Sequence, residues 1–378
     1  MAISFLGTFA FRLQVPVIAF YSRDVLGGTA LDIGMLTAMF MIGRAAAASI
    51  AGYIYEWRAI RLVPALCFSL NAPLVIAYLY TDTITLYMFL RAVQGVLNGF
   101  AWVVIQIALG ASTPSRARGT VYAIYFAIGS LGIAVANYVY SMLAYLPIAI
   151  PLYIASILFI ATALLSTLPR YPRTSLSSER TSLKSGRELC IPLLLFVGTV
   201  SLGSAYVSGD IVYVYLREMY GLSKDVVGLF MSIATAIAIL LSIVLSIVAD
   251  RVSDQTALTV ITMLTAIAMA LATPYNIYTT LLAISTLSIA LKSTIAISRR
   301  IALTYIGPKG VGYINTANNI GTVLSSITIG TLYENLRNTV IPHPIPLITT
   351  TTILAIPITT TLVTTYITTT KTLQKEKP

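Results

Sequence analysis

The chain has 378 residues, of which 57% are apolar and only 10% are charged. An ordinary soluble domain carries about 25% charged residues, so this composition excludes a soluble protein. The formal net charge of +11 would also suit a nucleic-acid surface. The basic residues lie in short loops between apolar stretches, however, so we expect a lipid bilayer as the surroundings and no nucleic-acid partner.

Apolar stretches of about 20 residues recur along the chain, and a helix needs that length to cross a hydrocarbon layer about 30 Å thick. They predict an all-α membrane protein with twelve transmembrane helices in two pseudo-symmetric six-helix halves. The predicted spans are 2–22, 32–55, 62–80, 84–109, 119–140, 144–168, 191–216, 226–249, 255–275, 277–304, 310–334 and 341–369.

A polar interval rich in Ser, Arg and Pro separates the two sets of spans. It predicts an N-terminal half at 1–168, a cytoplasmic linker at 169–190, a C-terminal half at 191–369 and a cytoplasmic tail at 370–378. Lys and Arg are enriched in the loops on one side of the predicted membrane, as cytoplasmic loops are. We therefore expect a multi-pass protein of the cell membrane with both termini in the cytoplasm.

The two halves contain related short segments. A shift of 194 residues carries Arg23 onto Arg217 and Asp24 onto Glu218. The same shift carries Tyr21 onto Tyr215, Gly27 onto Gly221 and Gly34 onto Gly228. It also aligns two loops, GYIYEWRAIR at 52–61 and SIVADRVSDQ at 246–255. Many solute transporters are built by such duplication, so the repeat predicts a transporter.

Twelve spans in two halves, a basic central loop and this repeated loop resemble the major facilitator superfamily of secondary transporters. The family's loop between helices two and three reads Gly-x-x-x-Asp-Arg-x-Gly-x-Arg. Gly52, Glu56 and Arg61 fall on its positions, and the second copy keeps Asp250 and Arg251. The resemblance implies alternating access of two halves around a central cavity, with these loop residues as a latch on the cytoplasmic side.

A second similarity lies on helix four, where RAVQGVLNG at 91–99 resembles the family's arginine and glycine pattern. Small residues at this spacing let helices approach closely in lipid. The chain departs from the family in the first loop, where Trp57 and Ala59 replace the usual basic residue and glycine. Helix five also lacks the Gly-Pro-x-x-Gly-Gly element of many antiporters, which disfavours a drug–proton antiporter.

Five ionisable side chains lie well inside the predicted spans, away from their ends: Arg12, Arg44, Arg91, Asp210 and Lys292. Such residues are costly in lipid, so they usually face a cavity or a partner. Four positive charges against one negative favour an anion, and guanidinium groups bind carboxylate or phosphate through paired hydrogen bonds. We therefore expect a small organic anion near Arg12 and Arg44, which lie close to the depth of the midplane. The further expected contacts are Arg91, Lys292, Gln14 and Tyr206, with Gln106, Tyr122 and Asn318 as additional polar neighbours.

Two roles stay open for Asp210, the only acidic residue well inside a predicted span, away from its ends. A carboxylate in a low-dielectric site could carry a coupling proton. Pairing with Lys292 or with an arginine of the N-terminal half would make it a structural ion pair or a gate. Arg44 and Arg91 have an alternative role as well, because they could brace the N-terminal helices through bonds to carbonyls and amides.

The sequence predicts neither an enzyme nor a resident cofactor. Two isolated cysteines and one histidine form no metal-binding pattern. The spans lack a nucleophile with its base and a carboxylate pair, and no nucleotide-binding Gly-x-x-x-x-Gly-Lys-Ser/Thr loop occurs. We expect a monomer that carries a small solute, with proton or sodium coupling left open. The alternatives are a multidrug or hydrophobic-compound exporter of the same superfamily and a non-transporting receptor or assembly protein on the same fold.

Overall fold

The computed structural model describes residues 1–55, 60–114, 117–169, 183–251, 254–271, 276–306 and 308–336. All regular elements in these ranges are helical. The α-helices are α1 (Ala2–Asp24), α2 (Ala30–Ile54), α3 (Val63–Ala77), α4 (Ile84–Ala111), α5 (Arg118–Leu143), α6 (Ala149–Ser166), α7 (Leu183–Val200), α8 (Ala205–Ser208), α9 (Ile211–Tyr220), α10 (Lys224–Arg251), α11 (Asp254–Leu271), α12 (Ile277–Tyr305) and α13 (Pro308–Leu336). Short 3-10 turns lie at Ile60–Leu62, Tyr78–Tyr80 and Ser201–Gly203.

The all-α membrane fold predicted from the sequence is confirmed. Each of the first eleven predicted spans coincides with one or more of these helices, and the twelfth, 341–369, lies outside the described residues. Among the described helices, eight are long and apolar enough to cross a bilayer. Helix α7 begins at Leu183, inside the predicted linker 169–190, and residues 170–182 of that linker lie outside the described part.

The structure differs from the sequence prediction at the seventh span, 191–216, which is not one continuous helix. After α7 the chain forms the 3-10 turn, the single turn of α8 and then α9. Gly209 leaves the helical region with a ψ of 167°, and a Cβ built there would lie 2.9 Å from the carbonyl oxygen of Ala205. Glycine therefore permits a sharp break. Irregular backbone at membrane depth is tolerated where it is buried in protein or lines a cavity, which is where this break lies.

The N-terminal helices (α1–α6) meet the C-terminal helices (α7–α13) along two long contacts, α2 against α13 and α5 against α10. The repeat relates α2 to α10, and it relates the glycines that allow each contact. Gly34 on α2 faces the backbone of Ser326 on α13, and Gly228 on α10 faces the carbonyl oxygen of Asn137 on α5. Because glycine has no Cβ, backbones can approach closely at both places.

The glycines of the helix-four pattern bring α4 against α2. Gly95 and Gly99 face the backbone of Phe40 and Arg44, and Gly43 of α2 faces the backbone of Ala92 in return. The close approach expected from small residues in the 91–99 segment is present. It fixes the position of Arg44 relative to α4.

Candidate functional site

A cavity of about 280 Å³ lies between the N-terminal and C-terminal helices. Its walls come from α1, α2, α4 and α5 on one side, and from the α7–α9 break, α12 and α13 on the other. Four basic side chains line it: Arg12, Arg44, Lys292 and Arg299. No Asp or Glu of the described chain is part of the lining. The volume is close to the lower limit of ordinary small-molecule sites, about 300 Å³.

Arg12 reaches from α1 across to the broken segment of the C-terminal helices. Its Nη1 donates to the carbonyl oxygen of Ser208 at 2.7 Å, and the break after Ser208 exposes that carbonyl. The guanidinium also lies 5.2 Å from the ring centre of Tyr213. The buried Nε of Arg12 has no hydrogen-bond partner in the described chain. One part of the guanidinium is thus held in place while another keeps an unused donor.

Lys292 and Arg299 lie on the same face of α12 because they are seven residues apart, about two turns. Nζ of Lys292 is buried and has no hydrogen-bond partner among the described residues. Arg299, by contrast, is held firmly, since its Nε donates to Oε1 of Gln106 at 3.0 Å and its Nη2 donates to Oδ1 of Asn315. Gln106 belongs to α4, so Arg299 also connects the two sets of helices.

The rest of the lining combines aromatic rings with small polar side chains. Trp102 donates its indole N–H to Oδ1 of Asn98 at 3.0 Å, which fixes both side chains on α4. The other aromatic lining residues are Phe11, Phe40, Tyr125 and Phe126, and the hydroxyl-bearing ones include Ser4, Thr8, Ser130, Ser204, Ser208, Ser288 and Thr322. The cavity can therefore enclose an apolar body and still offer hydrogen bonds at its edges.

Arg91 and Asp210 form an ion pair outside the cavity lining. Nη2 of Arg91 donates to Oδ1 of Asp210, and the hydroxyl of Thr37 donates to Oδ2. The backbone N–H of Asp210 donates back to that hydroxyl at 2.8 Å. Both ion-paired side chains are 2% exposed. The pair joins α2 and α4 to the start of α9, and because its charges cancel, Arg91 adds no net positive charge to the cavity.

The other predicted polar contacts divide into two groups. Gln106 and Asn318 line the cavity. Gln14 is fully buried elsewhere and accepts a hydrogen bond from Gln94 at 3.2 Å. Tyr206 packs its ring against another tyrosine outside the lining, and Tyr122 donates to the carbonyl of Gln106 from outside the lining.

Only part of the predicted loop signature lies in the described chain. Gly52 is buried near the end of α2, and Arg61 is exposed in the turn before α3. Glu56 and the side chains of Asp250 and Arg251 lie outside the described residues. A latch role for this signature therefore stays a prediction.

Sequence reasoning missed Arg299, although it lies inside the predicted span 277–304. It is close to the end of that span, where basic residues usually mark topology. The signal that could have identified it is its spacing of seven residues from Lys292, which places both on one face of a helix. Thr37 was missed as well, because nothing in its neighbourhood along the chain indicates a partner on another helix.

The repeat-related charges exchange partners at the ends of α1 and α9. Arg23 pairs with Glu218 at 2.7 Å, and Arg217 pairs with Asp24 at 2.7 Å. Lys224 adds a third contact, 2.7 Å from Asp24. The two glycines that follow in the repeat, Gly27 and Gly221, share a positive φ of 67° and 65°. These reciprocal pairs join the two sets of helices at the end that the sequence predicts to face outside the cell.

Comparisons with known proteins agree with this architecture. The family model described as Major Facilitator Superfamily matches residues 1–326. A crystal structure of a point mutant of the nucleoside transporter NupG is similar, with a TM-score of 0.73 and 15% identity over 97% of this chain and 98% of that one. A second NupG crystal structure gives a TM-score of 0.68 and 14% identity, covering 97% and 96% of the two chains. The human organic anion transporter MFSD10 (TETRAN) gives 0.72 and 14%, covering 96% and 97%. No curated protein sequence matches significantly.

Proposed function

This chain belongs to the Major Facilitator Superfamily, and we propose that the solute it carries is a small organic anion bound in the cavity between the two sets of helices. The chain is a secondary transporter and a multi-pass membrane protein, not an enzyme. NupG is a nucleoside transporter and MFSD10 an organic anion transporter. Identities of 14–15% show the fold alone, so the choice of solute depends on the cavity.

The charge of the cavity lining carries the proposal. Arg12, Arg44, Lys292 and Arg299 line it, and no carboxylate of the described chain does. Two unit charges 4 Å apart interact by about 4 kcal/mol at an effective dielectric constant of 20. An anion among these side chains therefore gains several such contacts, whereas a cation would be repelled by each. Arg91 does not contribute to this electrostatic attraction, because Asp210 neutralises its charge.

We infer an alternating-access cycle from the way that both sets of helices contribute to the cavity. The proposed moving units are the N-terminal half at 1–168 and the C-terminal half at 191–369, connected by the linker at 169–190. Outward opening requires the Arg23–Glu218 and Arg217–Asp24 pairs to separate, because each of them joins the two halves. The loop signature (Gly52, Glu56, Arg61, Asp250 and Arg251) would hold the cytoplasmic side in the opposite state.

Asp210 is proposed to act as a gating ion-pair partner of Arg91, because Arg91 and Thr37 both already bond its carboxylate across the two halves. The remaining parts of the proposal follow from the sequence. The protein is a monomer in the cell membrane, with both termini in the cytoplasm and no nucleic-acid partner. Solute flux measured with a proton gradient and with a sodium gradient tests which of the two ions, if either, is coupled to transport.

Ligand binding by the detergent-purified protein tests the proposal. A ligand that binds only the folded state increases the free energy of unfolding, by about 2.7 kcal/mol at 100 times its dissociation constant, and so raises the unfolding temperature. We expect stabilisation by organic anions, and its loss in Arg12→Gln and Arg44→Gln. Arg300→Gln is the matched control, because Arg300 carries the same charge and lies next to Arg299 but is not part of the cavity lining. Liposome flux of the stabilising compounds then separates a transporter from a receptor that binds without transport.

The aromatic lining favours a second candidate, an exporter of hydrophobic compounds. Phe11, Phe40, Trp102, Tyr125 and Phe126 could enclose an uncharged or cationic drug. In that case, drugs and not anions stabilise the protein, and the stabilisation survives both arginine substitutions. That result would overturn the anion proposal and leave Arg12 and Arg44 as structural braces.

A further inference from the structure

We propose that the solute carries two separate anionic groups, one bound between Arg12 and Lys292 and the other between Arg44 and Arg299, an inference that rests on the proposed function. The four cations are not spread evenly over the cavity wall. Arg12 bonds the carbonyl oxygen of Ser208 in α8, which packs against α12, the helix of Lys292. Arg299 bonds Asn315, and the next residue, Thr316, donates to the carbonyl oxygen of Ala45 beside Arg44 at 3.3 Å. The lining thus has two positive poles, each built from one residue of either half.

The two poles are separated along α12. Lys292 and Arg299 are seven residues apart, which is about 10 Å along the helix axis at 1.5 Å per residue. Ile295 lies between them on the same face and also lines the cavity. Phe11 and Phe40 contribute apolar surface from the opposite wall. A solute with an apolar body and an acidic group at each end matches this separation of the backbone positions better than a single carboxylate or phosphate does.

The two poles differ in the hydrogen-bonding capacity that they keep for an anion. At the first pole, Nζ of Lys292 and Nε of Arg12 are buried and have no partner in the described chain. At the second pole, Arg299 already donates to Gln106 and Asn315, so it mainly supplies positive charge. Arg44, which lines the cavity from α2, is the residue placed to donate to the ligand there.

The size of the cavity limits the solute. The cavity volume of about 280 Å³ is close to the lower limit of small-molecule sites, about 300 Å³, so the solute has to be small. A short straight-chain dicarboxylate meets this requirement. The inferred substrate class is therefore a short organic dianion with its two acidic groups at opposite ends.

The test compares dicarboxylates of three to eight carbons with their half-amides, in which one carboxylate is replaced by a neutral amide of nearly the same shape. Binding to the purified full chain is measured by calorimetry and by thermal stabilisation. We expect the best dicarboxylate, of intermediate length, to bind at least tenfold more tightly than its half-amide. In Lys292→Met this preference should fall to about onefold, while Lys292→Arg should retain most of it. Unfolding temperatures measured without ligand show whether each variant is folded.

The outcomes separate this inference from the proposed function. Equal binding of dicarboxylate and half-amide, with both weakened in Arg12→Gln, would leave an organic-anion transporter and overturn the two-pole site. A dicarboxylate preference that persists in Lys292→Met, or a series that does not bind while another monoanion does, would overturn it as well. If no anion of any kind binds to the wild-type protein, both the inference and the proposed function are wrong.

Discussion

Replacing Asp210 by Asn tests the role of the buried ion pair with Arg91. The substitution keeps the shape of the side chain and an oxygen that can accept from Thr37, so it removes mainly the negative charge. Both partners are 2% exposed, so Arg91 would remain as a buried charge without compensation. Breaking a buried pair in this way costs about 3–5 kcal/mol.

That loss corresponds to a measurable shift of the unfolding temperature. An unfolding entropy of about 2.1 cal/mol/K per residue gives about 0.8 kcal/mol/K for this chain, so we expect a decrease of about 4–6 °C. In the double variant Arg91→Gln with Asp210→Asn, both charges are removed together. Most of the lost stability should return, because replacing both members of a buried pair is close to neutral. Thermal unfolding of the wild type and the three variants in detergent measures this cycle.

The same variants distinguish an ion pair from a proton carrier. If Asp210 acts as an ion-pair partner that joins the halves, Asp210→Asn should impair solute exchange and solute uptake alike, and it should also lower the stability. A proton carrier would lose only the uptake driven by a pH gradient, while exchange at equal pH and the unfolding temperature would stay as in the wild type. That second pattern, or additive effects of the two single substitutions, would refute the assignment of Asp210 as the ion-pair partner of Arg91.

Two further predictions concern the contacts between helices. Arg23→Gln and Arg217→Gln should each favour outward opening by about 1 kcal/mol, the upper limit for a partly exposed pair, and by similar amounts because the repeat relates them. The readout is labelling of Ser208→Cys by an impermeant thiol reagent added outside, which should become about fivefold faster; an unchanged rate would exclude a gating role. Gly95→Ala should destabilise the protein, because its Cβ would overlap a carbonyl oxygen of α2. Gly198→Ala is the matched control, with the nearest atom at 3.7 Å, and should be neutral or stabilising; equal effects of the two would contradict the packing described.

The broad architecture could be predicted from the sequence because it depends on local quantities. Each span needs only about 20 apolar residues in succession, whatever the rest of the chain does. The repeat could also be found from the sequence, because residues that correspond in the two halves take similar conformations. Gly27 and Gly221 both have a positive φ, for example. The reciprocal ion pairs Arg23–Glu218 and Arg217–Asp24 follow from that symmetry once the halves are packed together.

The roles of the individual charges depended on tertiary structure. The sequence shows that Arg12, Arg44 and Arg91 lie in spans, but it does not show which of them face a cavity and which form an ion pair. Packing directs Arg12 and Arg44 into a cavity and Arg91 onto Asp210, which is 119 residues away in the chain. The direction in which a buried charge points is determined by which neighbouring helix offers an acceptor. In lipid the apolar surface of a span is satisfied in any orientation, so only the contacts between helices select one.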